Sequence, residues 1–134
     1  MAVTVLSGTS GALYYKPAGT TGNFGEAGVA VATDIITVAA YLNFKVGDPV
    51  QFRIVNSQTG GTGSGTLPAG ISAATTYFVL SYTAATGALT VSATAGGTIL
   101  AITDDGVLAA PNEFEVFYAD YAAVGQVQNW SFEI

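Results

Sequence analysis

Apolar and polar residues alternate with a period of two in several short stretches, the spacing that puts every second side chain on one face of a β-strand. Val50, Phe52 and Ile54 share a face, with Gln51 and Arg53 on the other. Phe114, Val116 and Tyr118 alternate with Glu113 and Glu115, and Trp130, Phe132 and Ile134 alternate with Asn129, Ser131 and Glu133. Each stretch predicts a half-buried strand. Thr76–Tyr82 and Ala88–Ala93, rich in β-branched and aromatic residues, predict the two arms of a hairpin. Thr83–Gly87 joins them, and its glycine suits the left-handed position that short hairpin loops require. Further strands are expected at Val3–Leu6, Leu13–Lys16, Ile35–Ala39 and Ile99–Thr103. Asp34 could instead cap a helix over Ile35–Leu42. The run Ile35-Ile36-Thr37-Val38 is β-branched, however, and favours the strand.

Three segments read as connections. Pro17–Gly28 holds four glycines and predicts an irregular excursion. The Gly-rich stretch Gln58–Thr66 predicts a flexible tip, and Asp104-Asp105-Gly106 a turn. Together these patterns predict an all-β fold, a compact β-sandwich or barrel-like domain of short antiparallel strands with long Gly-rich loops. One domain over 1–134 accommodates them.

Composition narrows the function. Of 134 residues half are hydrophobic, which predicts an ordered core. No run of eighteen apolar residues occurs, and Met1–Ser10 shows no basic, then apolar, leader pattern. Membrane association is therefore not expected. Histidine and cysteine are both absent. Thiol and imidazole nucleophiles, His/Cys zinc sites and disulfides go with them. Catalysis would have to rest on carboxylates, hydroxyls, Lys16, Lys45 or Arg53, so a non-enzymatic protein without a cofactor is expected. Charged residues make up 9% of the chain, against ~25% in ordinary soluble domains. Such a surface predicts extensive contact with neighbouring subunits. With three basic residues and a net charge of −6, sequence-specific nucleic-acid binding is not expected. An acidic, weakly basic surface does permit passive passage of DNA.

The candidate chemistry is thin. Glu113 and Glu115 fall on one strand face roughly 7 Å apart, a spacing open to a glycosidase carboxylate pair, but equally that of two solvated acids. Asp104 and Asp105 could offer oxygens to Ca²⁺, although Asp-Gly is an ordinary turn pair. Gln58–Thr66 lacks the Lys-Ser or Lys-Thr ending of a phosphate loop. Aromatic residues gather at Tyr14-Tyr15, Tyr77-Phe78, Phe117-Tyr118 and Tyr121. Neighbours in a strand face opposite ways, so one of each pair is expected in the core and the other free for a partner. Tyr14, Tyr77, Tyr118, Tyr121 and Trp130 are the candidate interface residues.

Within Ile35–Asp105, Gly47-Asp48, Leu67-Pro68-Ala69-Gly70-Ile71, Thr75-Thr76-Tyr77-Phe78-Val79 and Leu89–Thr94 follow one another. This stretch resembles a small β-module that recurs in virion proteins of tailed bacteriophages, which makes about 35–105 a candidate insertion. Tyr121–Ile134, with Val127 ahead of Trp130-Ser131-Phe132, is similar to the opening strands of phage tail tube proteins. In that family considerable sequence follows the tryptophan strand. The likeness therefore fits the front part of a longer tube protein, or a compact particle protein that reuses the motif. The resemblance implies a virion location, self-assembly as a homo-oligomer, and contact with other virion subunits. It places tail tube ahead of a capsid decoration or cement protein. A carbohydrate-binding module of a tail fibre, suggested by the tyrosine pairs, is the further alternative.

Overall fold

A computed structural model describes residues 4–5, 21–119 and 132–133. The strands are β1 (Thr4–Val5), β2 (Thr21–Phe24), β3 (Val29–Ala30), β4 (Ile35–Thr37), β5 (Pro49–Asn56), β6 (Gly65–Thr66), β7 (Tyr77–Thr83), β8 (Ala88–Ser92), β9 (Val107–Leu108), β10 (Asn112–Tyr118) and β11 (Phe132–Glu133). One turn of 3₁₀ helix, Glu26–Gly28, interrupts them. No helix among the described residues is long and apolar enough to cross a membrane. The chain divides into two compact units, Ala18–Ala119 and one built from its two ends. In the latter, β1 pairs antiparallel with β11, Val5 opposite Phe132.

The larger unit holds a seven-stranded antiparallel sheet in the order β2-β10-β5-β7-β8-β4-β3. Its two outermost strands, β2 and β3, are joined directly by Gly25–Gly28. Six inter-strand steps of about 4.8 Å would hold them roughly 29 Å apart in a flat sheet. Five Cα–Cα steps of linker reach at most about 19 Å. The sheet must therefore curl into a barrel, with β2 and β3 as two halves of one bent strand. Gly22 marks the closure. A Cβ there would lie 3.0 Å from both Val116 and Val38, residues from opposite margins of the sheet. Phe24, Ile36, Val50, Phe52, Tyr77, Val79, Leu89, Val91, Phe114, Val116 and Tyr118 fill the interior. Phe24 packs on Phe114 and edge-on to Phe52, which meets Tyr77. Burying each such side chain contributes about 1.5–3 kcal/mol.

Because strand direction alternates around the sheet, the connections fall at two ends. At the lower end lie 38–48 and the hairpin loop 84–87. At the upper end lie 31–34, 57–76 and 93–111, the last two tied together by the small sheet β6–β9. The Thr83–Gly87 loop is as expected from the sequence. Gly87 has φ +78°, and a side chain there would collide with the Val38 carbonyl.

The strands expected at 50–54, 76–82, 88–93 and 113–118 are present, and Ile35–Ala39 forms a shorter strand, β4, with no helix. Two expectations are corrected. Pro17–Gly28 is not wholly irregular, since Thr21–Phe24 forms β2 and buries Gly22 and Phe24. Its glycine serves close approach rather than a loop. Ile99–Thr103 forms no strand. Leu100 N–H donates to Val91, Ile102 N–H to Asp34 and Thr103 N–H to Ala69, so no single ladder is available to it. The Gly-rich tip is a hydrogen-bonded turn, in which Gly60 and Gly63 N–H groups donate to the Asn56 and Ile54 carbonyls. The strand expected at Leu13–Lys16 lies outside the described residues.

Candidate functional site

Tyr77 and Tyr118, two of the candidate interface residues, belong to the core. They are 4% and 1% exposed, and each phenol is engaged. The Ser72 N–H donates to Tyr77 Oη over 2.8 Å, and Tyr118 Oη donates to the Asn43 carbonyl over 2.6 Å. Alternation does split the two described aromatic pairs as expected, but the half-exposed members are Phe78 and Phe117. Sequence could not say which face of the strand turns inward. Tyr14, Tyr121 and Trp130 lie outside the described residues.

On the outer face of β10, the expectation of two solvated acids fails for Glu115, which is buried, while Glu113 is half-exposed. Glu115 sits opposite Arg53 in register. Arg53 Nε and Nη2 lie 2.7 and 2.6 Å from its Oε1. The guanidinium also stacks on the Phe117 ring, 4.2 Å from its centroid. Glu115 is thereby covered, its side chain 11% exposed against 53% for Arg53. Glu113 accepts from Asn23 Nδ2 at 2.8 Å.

Other carboxylates bind the backbone across long sequence separations, and nothing in the sequence announced them. Glu26 Oε1 accepts from Leu108 N–H, and Asp34 Oδ1 from Ile102 N–H at 2.8 Å. Asp104 Oδ1 accepts from Ala69 and Gly106 N–H groups, both at 2.9 Å. These two bonds, Ala69 first, hold the Asp104 carboxyl below the usual aspartate range. In place of the expected backbone turn at 104–106, the Asp104 side chain bridges the Gly106 N–H to the loop at Ala69. Among the described residues no cluster of three or more potential ligands could hold a metal.

One groove of about 630 Å³ opens at the upper end, lined by Arg53, Ile54, Leu67, Ala73 and the Gly60–Gly63 backbone. It exists because β5 parts from its neighbour. Whereas β5 pairs with β10 along most of its length, it meets β7 only at Pro49 and Val50. The remaining flank is met by the tip, where Val55 bridges Thr62. Arg53 is the groove's one ionisable side chain, and Glu115 already holds it. What the groove offers is apolar surface and backbone polar groups.

Exposed apolar residues complete the picture. Among the described residues the large ones are Val31, Tyr41, Val46, Ile99 and Val107. All five lie in connections at the barrel ends, and none on its wall. The fold of residues 18–119 is a small antiparallel β-barrel module whose most exposed large apolar side chains lie at its ends. Comparison with protein-family models, curated proteins and solved structures gives no match.

Proposed function

We propose that this chain is a structural protein of a tailed phage particle that assembles through β-rich subunit contacts, as a tail tube or tail-tube-like component. The observation that carries this reading is that, among the described residues, the exposed large apolar side chains are confined to the two barrel ends. A chain so poor in charge has little else to keep copies apart. The carboxylates Glu26, Asp34, Asp48, Asp104, Glu113 and Glu115 all accept hydrogen bonds within the fold, which suits support rather than catalysis. The two likenesses to phage proteins also fall in different units. The recurrent module lies within Ala18–Ala119, and the tube-like strand belongs to the unit of the two ends.

Electron microscopy of the purified protein, together with gold labelling of intact particles, tests this. Rings or tubes in vitro and label along the tail support the tube. Label on the shell alone, with monomers or trimers that bind empty shells, replaces it by a decoration protein. Absence of label from particles overturns the reading.

A further inference from the structure

We propose that the upper-end groove receives a basic, partly apolar segment of a different protein. This contact rests on the barrel's surface alone and does not require that the chain belong to a phage particle. Ile54, Leu67 and Ala73 give the groove of about 630 Å³ apolar walls, and it is already formed. The Gly60 and Gly63 N–H groups, donating to Asn56 and Ile54, fix the tip that borders it. A preformed site spares a ligand the cost of ordering it. Thr66, in the lining, pairs with Val107, which is 63% exposed, so a further apolar side chain stands next to the groove wall. The chain enters and leaves the barrel at its lower end, Thr21 standing opposite Phe117, and the groove is at the other.

Charge selects the occupant. Residues 21–119 carry seven carboxylates and two cations. Arg53 is held by Glu115, and Lys45 shares its loop with Asp48, whose carboxylate accepts from the Lys45 N–H. The carboxylates left over are Glu26, Asp34, Asp104, Asp105 and Glu113, and the first four gather on one segment. Asp104 and Asp105 lie within 102–108, Asp34 accepts from Ile102 N–H at one end of it, and Glu26 from Leu108 N–H at the other. Backbone amides are neutral, so these bonds orient the carboxylates without cancelling their charge. Segment 102–108 therefore concentrates negative potential around Val107, beside the groove. Such a border repels nucleic-acid phosphates and anionic lipid. It repels a second copy as well, because the chain has a net charge of −6 and three basic residues, two of them with acidic neighbours. A polypeptide segment with lysine or arginine around an apolar side chain suits both the groove and its border. Under the assembly reading the partner is a different virion subunit.

The test is an amide magnetic-resonance titration of the full chain with short synthetic peptides. A peptide alternating lysine with leucine should shift the amides of 61–67 and 104–107 and leave those of 39–43 in place. A lysine–serine peptide of equal length should bind several-fold more weakly. A glutamate–leucine peptide, oligothymidylate and phosphatidylglycerol vesicles should shift none of these amides. Salt at about 1 M, where the screening length falls to about 3 Å, should weaken lysine–leucine binding several-fold. Ala73→Trp fills the groove from an exposed position and should make the lysine–leucine peptide bind no better than the lysine–serine one. Asp105→Lys, also at an exposed position, should weaken both. Equal binding of the two lysine peptides to the parent overturns the proposal, as do lysine–leucine shifts centred on 39–43 or none at all. Shifts caused by oligothymidylate or vesicles overturn it, and so do shifts at 61–67 that grow with protein concentration alone, the mark of a second copy. Variants that bind like the parent overturn it too. Absence of label from phage particles, read separately, removes the virion reading and leaves this contact standing.

Discussion

At the lower end of the barrel a single aromatic plug, Phe44, is held by neutral phenols, whereas at the upper end Pro68, Ile71 and Ile102 are held largely by carboxylates. Phe44 packs on the rings of Tyr82 and Tyr118, and the hydroxyls of those rings fasten the loop that carries it. Among the described residues the one lower-end carboxylate bond, Lys45 N–H to Asp48, spans three residues. Above, Asp34, Glu26 and Asp104 reach across 68, 82 and 35 residues, with Tyr77 Oη as the phenolic exception. A long connection with few apolar residues cannot fasten itself by burial. Ionised acceptors supply stronger bonds to backbone N–H groups than neutral ones. The contrast teaches that one end depends on packing and the other on charge state.

The largest effect should come from the packing end. Phe44→Ala removes a 4%-exposed ring and should cost about 3–5 kcal/mol in urea unfolding. The loss should be nearly the same at pH 4 and pH 7, because the ring packs on the two aromatic rings of Tyr82 and Tyr118. A strongly pH-dependent loss would break the comparison.

At the upper end, Asp34→Ala deletes a charged acceptor for the N–H of buried Ile102 and should cost roughly 1.5–3 kcal/mol. Asp34 has φ +58°, a conformation aspartate and asparagine tolerate better than alanine. Asp34→Asn keeps both an acceptor and that tolerance, so it should recover most of the loss. Hydrogen exchange should show Ile102 and its neighbours losing protection while residues 39–43 stay unchanged. Equal loss at both ends would mean that the ends are not separately fastened.

How much of this could be read from the sequence follows from the range of each interaction. Period-two runs such as Val50–Ile54 and Glu113–Tyr118 gave their strands, because alternation is a local property. Gly87 was readable for the same reason. Tyr77 and Tyr118 were misplaced as interface residues because alternation separates two faces without saying which is inside. The β2 strand was hidden by glycines whose purpose, close approach of Gly22 to Val38, depends on barrel closure. Asp34–Ile102 and Glu26–Leu108 left no local mark at all. The groove was equally invisible, since it comes from β5 parting from β7 after Val50.

The smallest expected effect is also the most specific to charge. Asp104 is held below the usual aspartate range by the Ala69 and Gly106 N–H groups. A depressed folded pKa means that the ionised form is the one the fold binds. Its contribution is therefore present above the unfolded value and is lost as pH falls through the folded one. Nuclear magnetic resonance should show the Asp104 carboxyl titrating below ordinary aspartate, with the Ala69 and Gly106 amide shifts following the same curve. Asp104→Asn should flatten both amide curves. The Leu42 amide, bonded to Tyr82 at the lower end, should not move over that range. If it tracked Asp104, or if Asp104 titrated at or above the ordinary value, the division between a charge-fastened and a packing-fastened end would fail.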